Sequence, residues 1–509
     1  MAALSSQADD FSAPNQCCPF MRSSDHAREP HSPSSSGLPR RDWIAGAGCL
    51  LATLGCRPGQ PSEDSASRDA TIHSDVPLRI LWMGRAADAT VLERTWASIS
   101  EQPLDIRLLE PPRDAESTDA PDDPSPLQSQ EYLKQSSSAD VLLYPVSMMG
   151  ELVTNKRIMP LLANASSEES LGSTSADQHD TFRGLDRSSL PITLRLATTF
   201  AGEQMATPLG GRLPALMLGE NSSDESIQSW SEYADFVESS GGKCAEPTAL
   251  GWAGAMYLWR LASSLQTTWL FDRETLAPLL TLPEYVAVLQ QMRAAVQKSS
   301  PEFRDLAPGQ IYRLVANGEL QAGIGFPQLG PSPEDARDQV NGVIAFSALP
   351  DGGDDESKLG TEIRQARQRA MIDPFMLVGS LAASCRQTAA ADAFLDWLSG
   401  GQGSEPLYRS IASLVDVTSP ASESSVDMAE RYRAWLSTQL SKPGYVPTLQ
   451  LAGAVEYYNS LDSIVRDCVL GDTTAEVACQ QINDQWNHLH HQYDLPSQKR
   501  MWRRALSMG

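Results

Sequence analysis

From Val76 onward, the spacing of apolar residues switches repeatedly between that of a strand and that of a helix. In VPLRILWMG the apolar residues Leu78, Ile80 and Trp82 alternate with their neighbours, and in the following ATVLERTWASI the residues Leu92, Trp96 and Ile99 recur at helical spacing. LDIRLLE reads as a second strand, ADVLLYP as a short buried strand and MGELVTNKRI as a short helix. A strand, helix, strand order predicts a parallel sheet joined by right-handed crossovers. The same grammar returns later. PEYVAVLQQMRAAV sets Tyr285, Val288, Leu289, Met292 and Val296 on one helical face, LQAGIGFP reads as a strand ending at Pro327, and TAAADAFLDWLSG turns Ala391, Phe394, Leu395 and Leu398 inward before Gly400. Thr473 and Glu476 have capping-box spacing and open a helix carrying Ala475, Ile482, Trp486, Leu489 and Tyr493 on one stripe. Trp96, Trp259 and Trp397 fall within helical stripes and read as core.

The interruptions are as informative as the periods. In FAGEQMATPLGGRLPALML a turn at Ala201 and Gly202 leads into a strand that Pro208, Gly210 and Gly211 break. A broken extended segment of this kind suits a hinge, which must absorb a backbone rotation, and Arg212 follows the break. The Ser- and Asp-rich stretch 166–189 has too little apolar content to predict structure, and no internal repeat is present.

The N-terminal part carries no fold signal. Residues 1–37 are rich in Ser, Pro and Asp, and then Arg40 and Arg41 precede a short apolar run that ends at Leu54. That run is too short to span a bilayer but suits a signal h-region, and the arginine pair followed by Trp43 and Ile44 resembles a twin-arginine export signal. Met21 is an alternative start. Thr53, Leu54, Gly55 and Cys56 resemble a lipobox, although Thr53 stands where leucine is usual. Cys56 is therefore the expected lipid acceptor, with a plain cleaved signal peptide as the alternative. The polar segment after Cys56 reads as a flexible tether. No later apolar run reaches the ~18 residues of a membrane span.

Composition narrows the function classes. The 509 residues are 41% hydrophobic, enough for two or three globular domains. A formal charge of −24 gives nucleic-acid binding no electrostatic support. No nucleophile elbow, H-E-x-x-H zinc motif, Walker loop or dinucleotide fingerprint occurs, so the chain does not read as an enzyme or as a cofactor protein. His488, His490 and His491 lack metal-site spacing with Cys or carboxylates and read as a solvated helix end. Of the eight cysteines, Cys244, Cys385, Cys468 and Cys479 follow Cys56. Cys468 and Cys479 flank the Gly471 turn, so a helical-hairpin disulfide between them is geometrically open, whereas Cys244 and Cys385 are expected to stay unpaired.

Several segments, taken in order, carry a family resemblance. ILWMGRAADATVLERTWASI, ADVLLYPVSMMGELVTNKRIMPL, FAGEQMATPLGGRLPALMLGEN, SWSEYADFVE, ELQAGIGFP and PFMLVGSLAAS followed by AADAFLDWL are similar to extracellular solute-binding proteins of the maltose-binding type. The similarity spans Val76 to Trp486 and rests on order and spacing, not on one motif. It implies a two-lobed α/β periplasmic-binding-protein fold with a ligand cleft between lobes joined by hinge crossings. On this pattern residues 1–55 are the signal segment, 56–75 the tether, 76–207 plus 375–424 the N-terminal lobe, and 212–350 plus 425–509 the C-terminal lobe; the polar connection 351–374 departs from the compact family pattern.

The resemblance implies a monomeric receptor for a small polar ligand, a sugar or oligosaccharide, working with an ABC permease. It would be exported and held by its lipid on the periplasmic or extracellular side of the membrane. Sugar rings pair apolar C–H faces with hydroxyls, so their sites combine flat aromatic side chains with a few polar groups. The ligand-binding candidates are Trp82, Tyr144, Trp252, Phe326 and Tyr457, with Arg85, Arg212 and Glu456 beside them; Asp88 is a weaker one. The aromatics are expected to converge on one cleft. A ligand-sensing lipoprotein without a permease and a secreted hydrolase are the competing readings.

Overall fold

The computed structural model describes residues 75–109, 126–161, 190–220, 227–264, 269–327, 344–352, 371–400, 403–411, 413–415, 427–442, 444 and 446–506. The signal segment, the tether from Cys56 to residue 74 and all of 166–189 lie outside the described residues.

Two sheets carry the architecture. In the first, the strand order is β2 (Leu104–Leu109), β1 (Leu78–Met83), β3 (Val141–Pro145), β12 (Leu377–Ala382) and β4 (Ile158–Met159), with β7 (Thr207–Pro208) also paired to β12. The parallel pairing expected from the strand, helix, strand order is present: Ile80 lies opposite Ile106 in β2 and Val141 in β3. The sheet is nevertheless mixed, because β12 runs antiparallel to β3 and β4. Periodicity alone does not report where so late a strand inserts.

Both faces of β1 are covered, as a central strand requires. Leu78, Ile80 and Trp82 join Trp96 of α1 (Ala86–Ala97) and Phe394 and Trp397 of a helix near the chain's last third, whereas Leu81 and Met83 face a second cluster. Tyr132 of α2 (Pro126–Gln135) donates to the carbonyls of Leu81 and Leu143, fixing that helix on β1 and β3. Buried Asp140 accepts Arg79 Nε at 2.9 Å and Nη2 at 2.7 Å. Burial opposes ionisation there, but the Arg79 bonds hold the Asp140 carboxyl below its usual range.

The chain continues through α3 (Met149–Thr154), α4 (Ile192–Ala197) and a hairpin of β5 (Thr199–Phe200) and β6 (Glu203–Gln204). The hairpin turns at Ala201 and Gly202, both at positive φ, where the sequence places its turn. It then leaves β7 and enters the second sheet, ordered β11 (Ala345–Ser347), β8 (Ala215–Leu218), β10 (Ala322–Gly325) and β9 (Cys244–Ala245). Helices α5 (Trp230–Ser239), α6 (Ala253–Ser264), α7 (Pro283–Lys298) and α8 (Pro308–Ala316) belong to this part of the chain. A side chain at Gly323 would collide with Ile311 of α8, which explains a glycine inside β10.

The remaining helices are α9 (Thr388–Leu398), which carries Phe394 and Trp397, α10 (Glu405–Ser410), α11 (Met428–Leu440), α12 (Ala454–Leu470), α13 (Ala475–Gln492) and α14 (Leu495–Ala505). α12 packs on α6, α7 and α13, and α14 rests on α3 and β5. The cap of α13 is Thr474, whose side chain accepts from the Val477 N–H, and not Thr473. The disulfide left open between Cys468 and Cys479 is not formed: both are buried free thiols, and Cys479 Sγ lies 3.9 Å from the Tyr257 hydroxyl. Among the described residues, no helix is long and apolar enough to cross a membrane.

Candidate functional site

The chain passes between the two sheets at 209–214, and 371–376 leads back into β12 of the first sheet. Arg212 on the first crossing meets Asp373 on the second: Nη2 donates to Oδ2 at 2.9 Å, and the Asp373 N–H donates to the Arg212 carbonyl at 3.1 Å. The other carboxylate oxygen of the fully buried Asp373 accepts from the Phe375 N–H at 2.9 Å. The pair therefore clamps the crossings side by side and orients Phe375.

Trp252 enters from the turn before α6. Asp462 of α12 accepts the N–H groups of Gly251 at 2.7 Å and Gly254 at 3.0 Å, so a carboxylate holds the first turn of α6, where the helix dipole favours negative charge. A Cβ at Gly254 would lie 2.8 Å from the Asp462 backbone nitrogen, so only glycine permits this approach. Burial outweighs these hydrogen bonds and raises the Asp462 pKa. The preceding loop is tied by Glu246, which accepts Arg260 Nε at 2.8 Å, while the Arg260 guanidinium lies 3.8 Å from the Trp230 ring centre.

These supports place four aromatic rings together. Trp252 meets Phe326, just beyond β10, at 5.6 Å between centroids and Phe375 at 5.5 Å, both edge-to-face, and Phe375 meets Tyr458 at 6.1 Å. Arg212 covers Phe326 at 4.4 Å from the ring centre. The Trp252 indole N–H is buried and meets no acceptor. Aromatic faces, a guanidinium and an unused donor at the crossings between two sheets can stack on a ring with apolar faces and bond its oxygens. In this conformation the rings cover one another, with Trp252 4% and Phe326 2% exposed, so a ligand would have to part them.

Of the candidates read from sequence, the structure brings Trp252, Phe326 and Arg212 together. The five aromatics do not form one cluster. Trp82 lies in the core against α1 and α9, because strand alternation puts it on the face of Leu78 and Ile80. Tyr144 is fully buried in the first sheet, 2.8 Å from Ser380 Oγ, which itself donates to the Met205 carbonyl. Burial raises the Tyr144 pKa. Tyr457 is fully buried 2.7 Å from His490 Nδ1 and packs on Trp486. His490 is thus a core residue and not part of a solvated helix end, and burial pulls its pKa down to about 4. Arg85 is the half-buried N-cap of α1, and Asp88 lies in that helix's first turn.

Glu456 accepts from Tyr493 Oη at 2.7 Å. Burial, and then the charge of Glu456, push Glu151 of α3 up to about 7. Among the described residues, no group of three His, Cys, Asp or Glu side chains is placed to hold a metal ion.

Sequence reasoning missed Asp373, Phe375 and the site role of Tyr458. A signal for Asp373 exists in MIDPFMLVG, where one acid interrupts an apolar run; such an acid must be paired once buried.

No protein-family model matches the sequence, and no curated protein matches it significantly. Solved structures do match. Maltose-bound MalE3 of T. maritima is 16% identical, with 81% of this chain and 99% of that one covered at a TM-score of 0.55. A cyclo/maltodextrin-binding protein complexed with maltotetraose is 12% identical, with 82% and 98% covered at 0.53. An ABC transporter solute-binding protein from Agrobacterium radiobacter in complex with ribitol is 12% identical, with 82% and 99% covered at 0.58. Likeness at these identities establishes the fold, which is the two-lobed α/β architecture of periplasmic binding proteins.

Proposed function

We propose that this chain is a solute-binding receptor that captures a small polar ligand, a sugar or oligosaccharide, between two lobes and delivers it to an ABC importer. The observation that carries this reading is the meeting of Trp252, Phe326 and Phe375 under the Arg212–Asp373 clamp, where the crossings join the two sheets. Aromatic faces suit the C–H surfaces of a pyranose or polyol, and a site at the crossings makes ligand occupancy and lobe closure one event. The lobes are 76–207 plus 375–424 and 212–350 plus 425–509. Trp252, Phe326 and Arg212 supply the ligand wall, with Phe375 added to the residues read from sequence.

The ligands named with the structural neighbours define the test. Maltose, maltotetraose and ribitol are titrated into the protein with tryptophan fluorescence and small-angle scattering as readouts. A saturable signal with a smaller radius of gyration at saturation supports the reading, and a panel of neutral sugars and polyols that leaves both signals flat defeats it.

Export and anchoring rest on the sequence around Arg40, Arg41 and Cys56. A diacylglycerol on Cys56 would hold the receptor at a membrane surface through its tether. Cys56→Ser is expected to release the protein into the soluble fraction, and a mature N-terminus at another residue would remove the anchor from the proposal.

A further inference from the structure

The two crossings also wall a groove that Trp252, Phe326 and Arg212 do not line. Its empty volume, counted to its open mouth, is about 510 Å³. Leu213 of the first crossing, Leu349 just after β11, Met371 of the second crossing and Trp435 of α11 give it apolar walls. Trp259 of α6 lines it as well.

Trp259, Gln439 and Lys442 bring hydrogen-bond donors to this groove. The Trp259 indole N–H is buried and meets no acceptor. Ser263 adds no free donor, since its one hydroxyl proton goes to the Arg260 carbonyl at 3.0 Å while its Oγ accepts from Trp230 Nε1 at 3.1 Å. Gln439 spends its carbonyl oxygen on Lys442 Nζ at 2.7 Å, leaving the amide N–H groups. Lys442 is half-buried, and no carboxylate among the described residues pairs with it. Its ammonium is partly desolvated, which lowers its pKa. An apolar groove with a cationic, donor-rich end complements a hydrocarbon body that ends in an anionic acceptor. It does not suit a cation, and a neutral ligand forgoes the charge-assisted bond to Lys442.

We propose that this groove binds a small amphipathic carboxylate, with its hydrocarbon part against Leu213, Leu349, Met371 and Trp435 and its carboxylate on Lys442. The proposal does not depend on the receptor reading, because the groove and the aromatic cluster are lined by different residues apart from Trp259, which touches both.

The probes are octanoate, 1-octanol and octylammonium, titrated separately into the protein by calorimetry at neutral pH. Octanoate is expected to saturate a single site, with octanol at least about tenfold weaker and octylammonium without binding, since a charge-assisted hydrogen bond separates the first from the others. Lys442→Met removes the ammonium, and Gln439→Glu sets a competing carboxylate beside it. Each should weaken octanoate by about tenfold to a hundredfold. Melting temperatures measured on the same samples show whether each variant is folded, and the second variant stands if the first is not. Octanoate without saturable binding, equal binding of the neutral or cationic probe, or wild-type affinity in both folded variants would overturn the proposal.

Discussion

The Arg212 guanidinium sits 4.4 Å from the centre of the Phe326 ring while its Nη2 donates at 2.9 Å to Asp373. One side chain thereby ties both crossings to the end of β10. A buried ion pair stabilises only when its hydrogen bonds are complete, and here both Asp373 oxygens are occupied.

Asp373→Asn keeps the shape and removes the counter-charge. Breaking one end of a buried pair costs about 3–5 kcal/mol, and the lower end is expected because the Arg212 side chain keeps 15% exposure. Urea unfolding midpoints of wild type and variant measure it. A loss under about 1 kcal/mol would mean that water already screens the pair.

The elements were legible in sequence wherever one period ran unbroken. Leu78, Ile80 and Trp82 announced β1, but Trp82, a cleft candidate on sequence, alternates onto the same face as Leu78 and Ile80, which the structure covers. Tyr457 and Tyr458 show the limit of reading types without directions. Adjacent helical residues point about 100° apart. Tyr458 accordingly reaches Phe375, whereas Tyr457 turns to Trp486 and His490. The place of β12 and the Arg212–Asp373 pair depend on contacts between distant segments, which no local pattern encodes.

Glu151 sets a pH dependence of unusual sign. Its value in the folded protein is raised from 4.5 to about 7, so the folded chain holds this proton more tightly than the unfolded chain. The stability that protonation lends is complete below pH about 4.5 and is lost as pH rises through about 7. Glu151→Gln should therefore raise stability at pH 8 by up to about 3 kcal/mol and flatten the change in melting temperature between those limits. A variant less stable than wild type at pH 8 would show that Glu151 is ionised and paired.

His490 titrates in the ordinary direction for a buried imidazole. Its folded-state value is lowered from 6.5 to about 4, so its contribution is present above pH about 6.5 and lost as pH falls through about 4. Tyr457→Phe leaves the Nδ1 of His490 without the hydroxyl 2.7 Å away and should cost about 1–2 kcal/mol at neutral pH while affinity for the proposed ligand is unchanged. A drop in affinity of more than about tenfold with full stability would return Tyr457 to the ligand wall.

Trp252 offers the sharpest separation of packing from recognition. Its indole N–H is buried without an acceptor in a ring of aromatic neighbours, a cost of about 1–3 kcal/mol that the ligand-free protein bears. Trp252→Phe removes that donor and keeps an aromatic ring against Phe326 and Phe375. The relief of an unsatisfied donor then offsets the smaller ring's lost packing, and the expected change in stability is within about 1.5 kcal/mol of zero. Ligand binding should respond differently. If an oxygen of the sugar accepts from this N–H when the rings part, the variant loses that bond and affinity falls by about tenfold, which a net hydrogen bond of ~1 kcal/mol or slightly more delivers. Thermal unfolding and titration with maltose or maltotetraose on one preparation read both quantities. Unchanged affinity would take the indole N–H out of the binding site, and a stability loss above about 3 kcal/mol would make Trp252 a packing residue first.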